Sequence, residues 1–220
     1  MKVCTDSCLF GAWVTEQMKE HEIATALDIG AGTGLLSLMF AQKNTSVIDT
    51  IEIDTAAAEQ AKENTLLSPW HHRINIINKS LQEFIPIHQY DFIFSNPPFF
   101  EDDLQASNSK KNNAKHSTSI TLQELISFIS IHLTLNGSGA VIIPYHRIDY
   151  FQSQLNKLDF YFNKLALVKQ TANHPYFRAM ILFSRKNIEK GESKEIIIHD
   201  ANRNYTAEFA VLLKDYYLYL

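Results

Sequence analysis

The chain has few cysteines, no excess of basic residues and no long apolar run. Its two cysteines, Cys4 and Cys8, make neither a disulfide framework nor a complete zinc site. No apolar run is long enough to span a membrane, and the first residues lack the apolar core of a signal peptide. These absences predict a protein of the reducing cytoplasm that has no membrane segment and no structural metal.

The overall charge argues against general nucleic-acid binding. The net charge is −4 at pH 7, so any contact with nucleic acid must come from a local patch. Hydrophobic residues make up 45% of the 220 residues and charged residues 20%, which is an ordinary globular balance. That length is sufficient for one well-filled domain. We therefore predict a single domain over residues 1–220, and we expect a monomer.

Strand-like and helix-like segments alternate along the first two-thirds of the chain. The pattern predicts strands at residues 24–30, 47–54, 73–80, 90–96 and 139–144. It predicts helices between them, at residues 33–43, 55–67, 122–135 and 145–158, with Asn136 and Gly137 closing the third. Strands that alternate with helices are typical of a parallel sheet with helices on both faces, a doubly wound α/β fold.

The last third of the chain has a different pattern. Strands at 160–170 and 175–186 are joined by too few residues for a crossover helix, which predicts an antiparallel hairpin over residues 160–186. A further short strand at 194–200 and a closing amphipathic helix at 205–220 follow. Residues 101–119 form the one long polar stretch, which we interpret as a loop on the substrate side.

The stretch "DIGAGTG" joins the first predicted strand to the next helix. Its glycines, Gly30, Gly32 and Gly34, permit a tight turn and close approach of a ligand to the backbone. Their spacing differs from the dinucleotide fingerprint, and no lysine follows as in a P-loop. Asp28 either caps the turn or faces a cationic ligand. S-adenosylmethionine, with its sulfonium and ammonium groups, fits the second interpretation.

The next two predicted strands also end in candidate ligand contacts. In "IEID", Glu52 is our first candidate for accepting both ribose hydroxyls of a nucleoside, and Asp54 is the second. Asp54 has the alternative role of an acid at the start of the next helix. Ser80 and Leu81 follow the third strand, where the adenine of a cofactor would rest.

The stretch "SNPPF" follows the fourth predicted strand and shares the crevice of the glycine turn. A planar NH2 group is a poor nucleophile, because its lone pair is delocalised. The side-chain oxygen of Asn96 and the carbonyl of Pro97 can accept its two hydrogens, which favours positive charge on the nitrogen as it attacks a methyl group. Pro98 stiffens the turn, and Phe99 is placed to stack on a planar substrate. This chemistry needs no metal and no covalent nucleophile.

The order of these three motifs resembles class I S-adenosylmethionine-dependent methyltransferases that modify planar amino nitrogens. More closely, the chain resembles the tRNA1(Val) adenine-37 N6-methyltransferases, nearly end to end. The resemblance includes "MKVCTDSCLFGAW" near the N-terminus, "AKHSTS" in the polar loop, and "HPYFRAMILFSR" and "RNYTAEFAVLLKDYYLYL" near the C-terminus.

The resemblance implies a Rossmann-like, mostly parallel, seven-stranded sheet with an antiparallel C-terminal hairpin. It implies S-adenosylmethionine as cofactor and a tRNA as substrate. Carried over by position, the cofactor would be held by Asp28, Gly30, Gly32 and Glu52, and adenine by Asn96, Pro97, Pro98 and Phe99. Thr5 and Asp6 would close over the methionine end of the cofactor.

Basic residues near these motifs are candidates for binding RNA. They are Lys110, Lys111, Lys115 and His116 in the polar loop and His174 and Arg178 in the hairpin. Each lysine has the alternative of a solvated surface position, and Arg178 has the alternative of pairing with an acid. With the acidic net charge, we expect modest and salt-sensitive affinity for RNA.

Other activities share the same site chemistry. Glutamine N5-methylation of release factors uses an equally planar amide, but those enzymes carry an N-terminal helical domain for which few residues are available here. Methylation of ribosomal RNA at guanine N2 or adenine N6 is a second alternative. A non-catalytic nucleotide-binding module is a third, and it would tolerate loss of Asn96.

Overall fold

The computed structural model describes residues 4–97, 120–188 and 191–220. Six α-helices in these ranges are α1 (Thr5–Met18), α2 (Leu35–Lys43), α3 (Thr55–Leu66), α4 (Leu122–His132), α5 (Ile148–Asn156) and α6 (Ala207–Leu213). The strands are β1 (Thr25–Ile29), β2 (Val47–Glu52), β3 (Ile74–Asn78), β4 (Tyr90–Ser95), β5 (Leu133–Pro144), β6 (Tyr161–Lys169), β7 (Tyr176–Ser184) and β8 (Glu192–Ile197).

The strands form one sheet in the order β3-β2-β1-β4-β5-β7-β6-β8. Strands β1 to β5 are mutually parallel, whereas β7 pairs antiparallel with both β5 and β6. The mostly parallel sheet and the antiparallel hairpin are therefore confirmed. Strand β1 lies between β2 and β4, so the chain reverses its direction of travel across the sheet there. Ligands of such sheets bind at this switch point, beyond the carboxyl ends of the strands.

Alternate residues of each central strand pack on opposite faces of the sheet. On β4, Phe92 and Phe94 each lie 5.3 Å from the ring of Phe40, in a core shared with α1, α2 and α6. Ile93, between them, belongs to a second core shared with α4 and α5. Helices cover both faces, which confirms the doubly wound architecture.

Helix α4 begins where its capping signal predicts and ends earlier than predicted. The Thr121 hydroxyl accepts a hydrogen bond from the backbone of Glu124, whose side chain accepts one from the Thr121 backbone, a complete capping box. The helix stops at His132, however, and the next residue begins β5. A β-carbon at Gly137 would lie 2.9 Å from the carbonyl oxygen of Asp91. This glycine therefore permits close approach of β5 to β4, where the register shifts, and does not end a helix.

The C-terminal region differs from the prediction in two respects. The sheet has eight strands and not the seven that the resemblance implied, because the short strand predicted at 194–200 forms β8 and joins the edge of the sheet in parallel with β6, where Ile196 is buried. Helix α6 ends at Leu213, well before the predicted end at residue 220. Beyond it, Tyr216 and Tyr217 still pack against the core, but Tyr219 is 90% exposed.

None of the helices in the described part of the chain is long and apolar enough to cross a membrane.

Candidate active site

The glycine turn after β1 has a backbone that other residues rarely adopt. Gly30, Gly32 and Gly34 have φ values of 70°, 57° and 81°, in the left-handed region that favours glycine. A β-carbon at Gly30 would meet nothing within 4 Å, whereas one at Gly34 would lie 3.4 Å from the β-carbon of Ala61. Gly30 therefore borders open space, and Gly34 permits packing of the turn against α3.

Glu52, at the end of β2, fixes this turn. Its Oε2 accepts a 2.7 Å hydrogen bond from the backbone N–H of Gly32, and its Oε1 accepts a 2.8 Å bond from that of Asp54. The side chain is buried. Because a carboxylate has about four acceptor positions, Glu52 retains acceptor capacity for ligand hydroxyls while it shapes the turn.

Asp28 is a buried carboxylate with an unsatisfied oxygen. Its Oδ2 accepts hydrogen bonds from the backbone N–H and the hydroxyl of Ser37, at 3.1 and 2.7 Å. Its Oδ1 is buried and has no hydrogen-bond partner among the described residues. Burial raises the pKa of Asp28 to about 7, the Ser37 hydrogen bonds partly oppose this shift, and the negative charge of Glu52 adds to it. A donor from a cationic ligand would satisfy the remaining oxygen.

A small cavity opens between the glycine turn and the end of β3. It is lined mainly by apolar and small side chains, namely Gly30, Ile51, Ile53, Ser80, Leu81 and Ile120, with Lys79 and Gln82 alongside. The Ser80 hydroxyl donates to Glu83 at 2.7 Å, so it serves its own turn. Ile53 is 43% exposed and directly follows Glu52. With room for only about 20 Å³, roughly one water molecule, the cavity does not enclose a ring, but its apolar side chains form a surface beside Glu52 against which a flat ring would lie.

Asp54 caps helix α3, which is the second of its two predicted roles. Its Oδ1 accepts a 2.8 Å hydrogen bond from the backbone N–H of Ala57. The cap compensates one of the unpaired N–H groups at the start of the helix.

Asn96 and Pro97 follow β4 at the same edge of the sheet. The Ser95 hydroxyl donates to the carbonyl of Ile29 at 2.8 Å, which ties the end of β4 to the start of the glycine turn. Asn96 is half-buried and Pro97 buried. The amide nitrogen of Asn96 donates to the hydroxyl oxygen of Ser7 at 2.7 Å, so Oδ1 is the acceptor end of this side chain.

The first turn of α1 packs against this site. Thr5, Asp6 and Ser7 are half-buried there, and Asp6 Oδ2 accepts a 3.0 Å hydrogen bond from Nε of Arg178 on β7. Of the two roles considered for Arg178, the structure therefore shows the pairing with an acid, which is Asp6. His174 is exposed in the β6–β7 turn, where its Nδ1 lies 2.7 Å from the hydroxyl of Thr171.

The remaining predicted site residues lie outside the described residues. They are Pro98, Phe99, Lys110, Lys111, Lys115 and His116.

Comparisons with known proteins agree with this arrangement. Residues 11–174 match the family model of the methyltransferase small domain. A tRNA1(Val) (adenine(37)-N6)-methyltransferase of Cytophaga hutchinsonii is 37% identical over 225 residues, covering 100% of this chain and 92% of the relative. Enzymes of the same name from Flavobacterium psychrophilum and Photorhabdus laumondii are 38% and 34% identical, covering 99% and 100% of this chain and 93% and 89% of theirs.

The chain belongs to this tRNA1(Val) (adenine(37)-N6)-methyltransferase family. The family resemblance expected from the sequence is thus confirmed. Solved structures support the fold at low identity. A predicted O-methyltransferase of Agrobacterium tumefaciens superposes with a TM-score of 0.70 at 13% identity, covering 94% of this chain and 95% of its own. A putative RNA methyltransferase of Pyrococcus horikoshii reaches 0.61 at 15% identity, over 81% and 84% of the two chains.

The sequence-based predictions overlooked two side chains of the candidate site. Ser7 contacts Asn96 from a helix 89 residues earlier, and nothing in its local sequence signals that contact. Ile53 had a detectable signal, because it is an apolar residue between the two acids of "IEID", at the carboxyl end of a strand.

Proposed function

We propose that the protein transfers a methyl group from S-adenosylmethionine to N6 of adenine 37 in tRNA1(Val). The observation that carries this proposal is the placement of Asn96 at the switch point of the sheet, with its amide nitrogen held by Ser7. Family membership supports the reaction class, and the names of the relatives support the substrate.

The residues around the glycine turn fit the cofactor. Gly30 leaves open space beside the backbone, Glu52 would accept from the ribose hydroxyls, and Asp28 offers its buried, unsatisfied oxygen. Ile53 and Leu81 belong to the apolar surface against which the adenine would lie. S-adenosylmethionine, when bound, supplies an electrophilic methyl group on its sulfonium.

Asn96 and Pro97 would prepare the amine. The Oδ1 of Asn96 and the carbonyl of Pro97 accept the two hydrogens of N6, which stabilises positive charge on that nitrogen as it bonds to carbon. The Ser7 hydrogen bond keeps the carboxamide in the orientation that offers Oδ1. Phe99 stacks on the flat base and Pro98 stiffens the turn in this proposal.

The substrate base lies in a tRNA loop. Bases of such loops can be unstacked and are the usual targets of sequence-specific RNA-binding proteins, and a base must leave the stack before its amine can be methylated. The proposed RNA contacts are Lys110, Lys111, Lys115, His116 and His174.

We also propose that the protein works in the cytoplasm as a monomer with a single domain.

The decisive experiment measures where the methyl group goes. Isotopically labelled S-adenosylmethionine is supplied with a tRNA1(Val) transcript, the same transcript carrying guanine at position 37, bulk ribosomal RNA, or a release factor. We expect label only in the first, recovered as N6-methyladenosine after digestion. Label in ribosomal RNA or in the release factor would overturn the substrate assignment.

An Asn96→Ala variant tests the chemistry. We expect it to bind S-adenosylhomocysteine as the wild type does and to lose turnover by about 100-fold or more, the usual effect of removing a preorganised transition-state contact. Wild-type turnover by this variant would refute the role of Asn96 and favour a site built from other residues.

A further inference from the structure

Two tyrosines stand at the rim of the carboxyl edge of the sheet, next to the candidate active site. Ser95, the last residue of β4, is in register with Val141, and β5 continues to Pro144. These three extra residues carry the end of β5 about 10 Å beyond the end of β4. Tyr145 follows, and Tyr176 begins the neighbouring strand β7 at the same edge.

The two rings form a partly exposed pair. Their centroids lie 5.1 Å apart with 39° between the ring planes, and Tyr145 is 40% exposed. Single exposed apolar side chains are common on protein surfaces. Exposed rings that lie together are less common and often mark a surface that binds another molecule.

Tyr176 is fixed from two sides. Its hydroxyl donates to Oε2 of Glu195 at 2.7 Å, and Nζ of Lys169 lies 4.5 Å from the centre of its ring. Lys169 also pairs with Glu195 at 2.8 Å. A ring held in this way loses little conformational entropy on binding, which favours stacking on another flat group.

Basic side chains near the two tyrosines are paired with acidic ones. Lys169 pairs with Glu195 at 2.8 Å, and Arg178 pairs with Asp6 at 3.0 Å. Attraction of RNA phosphates is therefore not the main contribution that we expect from this part of the surface. With a net charge of −4 for the whole chain, binding of a polyanion needs a contribution that does not depend on charge. Stacking on aromatic rings is such a contribution, because every base has a π-face.

A chain of contacts connects the rim to Asn96. Arg178, two residues after Tyr176, is the register partner of Pro144 and donates to Asp6. Ser7, beside Asp6, accepts from Asn96. The tyrosine pair and the proposed amine-binding group therefore belong to one edge of the molecule.

We propose that Tyr145 and Tyr176 form a stacking platform for an unpaired base of the RNA, next to the base that is methylated. This inference rests on the proposed function, because it takes RNA as the substrate. The partner chemistry is a single-stranded purine or pyrimidine ring, and not a duplex or a protein surface.

The test measures RNA binding by Tyr145→Ala. The probe is a fluorescein-labelled anticodon stem-loop of tRNA1(Val), titrated in the presence of S-adenosylhomocysteine at several salt concentrations. We expect binding to weaken about 5- to 160-fold, the range for losing one base–aromatic stack. The slope of log affinity against log salt should stay unchanged, because no phosphate contact is lost. Affinity for S-adenosylhomocysteine alone should equal that of the wild type.

Two further variants control the interpretation. Tyr145→Phe keeps the ring and should bind RNA like the wild type. Tyr219→Ala removes a tyrosine that is 90% exposed elsewhere and should have no effect. Unimpaired binding by Tyr145→Ala, alongside normal wild-type methylation, would overturn the platform alone. A wild-type protein that neither binds nor methylates the RNA would overturn both proposals. A change of oligomeric state in Tyr145→Ala, measured by light scattering, would show that the pair contacts a second copy and would likewise overturn the platform.

Discussion

The amide nitrogen of Asn96 donates a 2.7 Å hydrogen bond to the hydroxyl oxygen of Ser7, in the first turn of α1. A carboxamide can turn over and exchange its donor and acceptor ends. The bond to Ser7 selects one orientation of this group, and in the proposed mechanism that orientation presents the oxygen to the substrate amine. We therefore propose that Ser7, in helix α1, is a positioning residue for Asn96, which follows β4.

A Ser7→Ala variant should slow turnover without weakening substrate binding. We expect kcat to fall about 2- to 12-fold, which corresponds to the 0.5–1.5 kcal/mol of a typical hydrogen bond, while KM for tRNA and for the cofactor stays constant. Ser7→Thr keeps the hydroxyl and should restore most of the rate. Steady-state kinetics of the three proteins provide the measurement. A Thr variant as slow as the Ala variant would mean that the hydroxyl is not the cause.

The buried Asp28 should make stability depend on pH. Burial raises its pKa from the ordinary value of 3.8 to about 7 in the folded state, so the folded protein binds more protons than the unfolded chain between these values. Stability therefore falls as pH rises through this window and levels off above it. The full difference is on the order of 4 kcal/mol, at 1.36 kcal/mol for each pKa unit.

The Asp28→Asn variant removes this titration. Urea unfolding at pH 5 and pH 8 should show a smaller loss of stability with pH for the variant than for the wild type. The Ser37→Ala variant tests the same carboxyl in the opposite direction, because it removes the hydroxyl hydrogen bond that lowers the pKa of Asp28 and should steepen the loss. Parallel pH profiles for wild type and Asp28→Asn would show that this carboxyl does not titrate in the window.

The sequence predicted those parts of the site that depend on short-range patterns. The glycine turn follows from the spacing of three glycines after a strand, and the place of Asn96 follows from its position between a predicted strand and two prolines. Parallel strands then bring both to one edge, which is a property of the fold class. Ser7 escaped prediction because its contact depends on how α1 packs across the sheet.

The errors in the fold have a similar origin. The apolar residues after His132 continue a helical pattern, but pairing of Leu133 with Tyr90 starts a strand there. Tertiary pairing therefore overrode local propensity. At the C-terminus, Tyr216 reaches the core from a turn beyond the end of α6, and periodicity alone cannot distinguish such a turn from one more helical turn.

Two glycine substitutions should distinguish the effect of backbone strain on stability from the effect of an added methyl group on cofactor binding. Gly30→Ala and Gly34→Ala both place a side chain at positive φ, so each should destabilise the protein by about 1–2 kcal/mol in urea unfolding. The added methyl at position 30 faces open space, whereas that at position 34 touches Ala61. Calorimetry with S-adenosylhomocysteine should therefore show the larger loss of affinity for Gly30→Ala. Equal losses would indicate that the turn is disturbed as a whole.

The ion pair between Asp6 and Arg178 links α1 to β7, and a double-mutant cycle tests how it acts. The side chains are 17% and 24% exposed, so we expect a coupling of about 1 kcal/mol in the free energy of unfolding. The variants are Asp6→Asn, Arg178→Gln and the combination of both, each measured by urea unfolding and by kcat on tRNA.

The cycle also decides between the two roles predicted for Arg178. If Arg178 acts by holding the first turn of α1, then Arg178→Gln should lower kcat in the wild-type background and have little further effect in the Asp6→Asn background. RNA affinity should stay nearly constant in that case, because the contact is with Asp6. If Arg178 binds phosphate directly, its loss would weaken RNA binding equally in both backgrounds and reduce the salt slope. That second result would contradict a positioning role and return Arg178 to the RNA-binding surface.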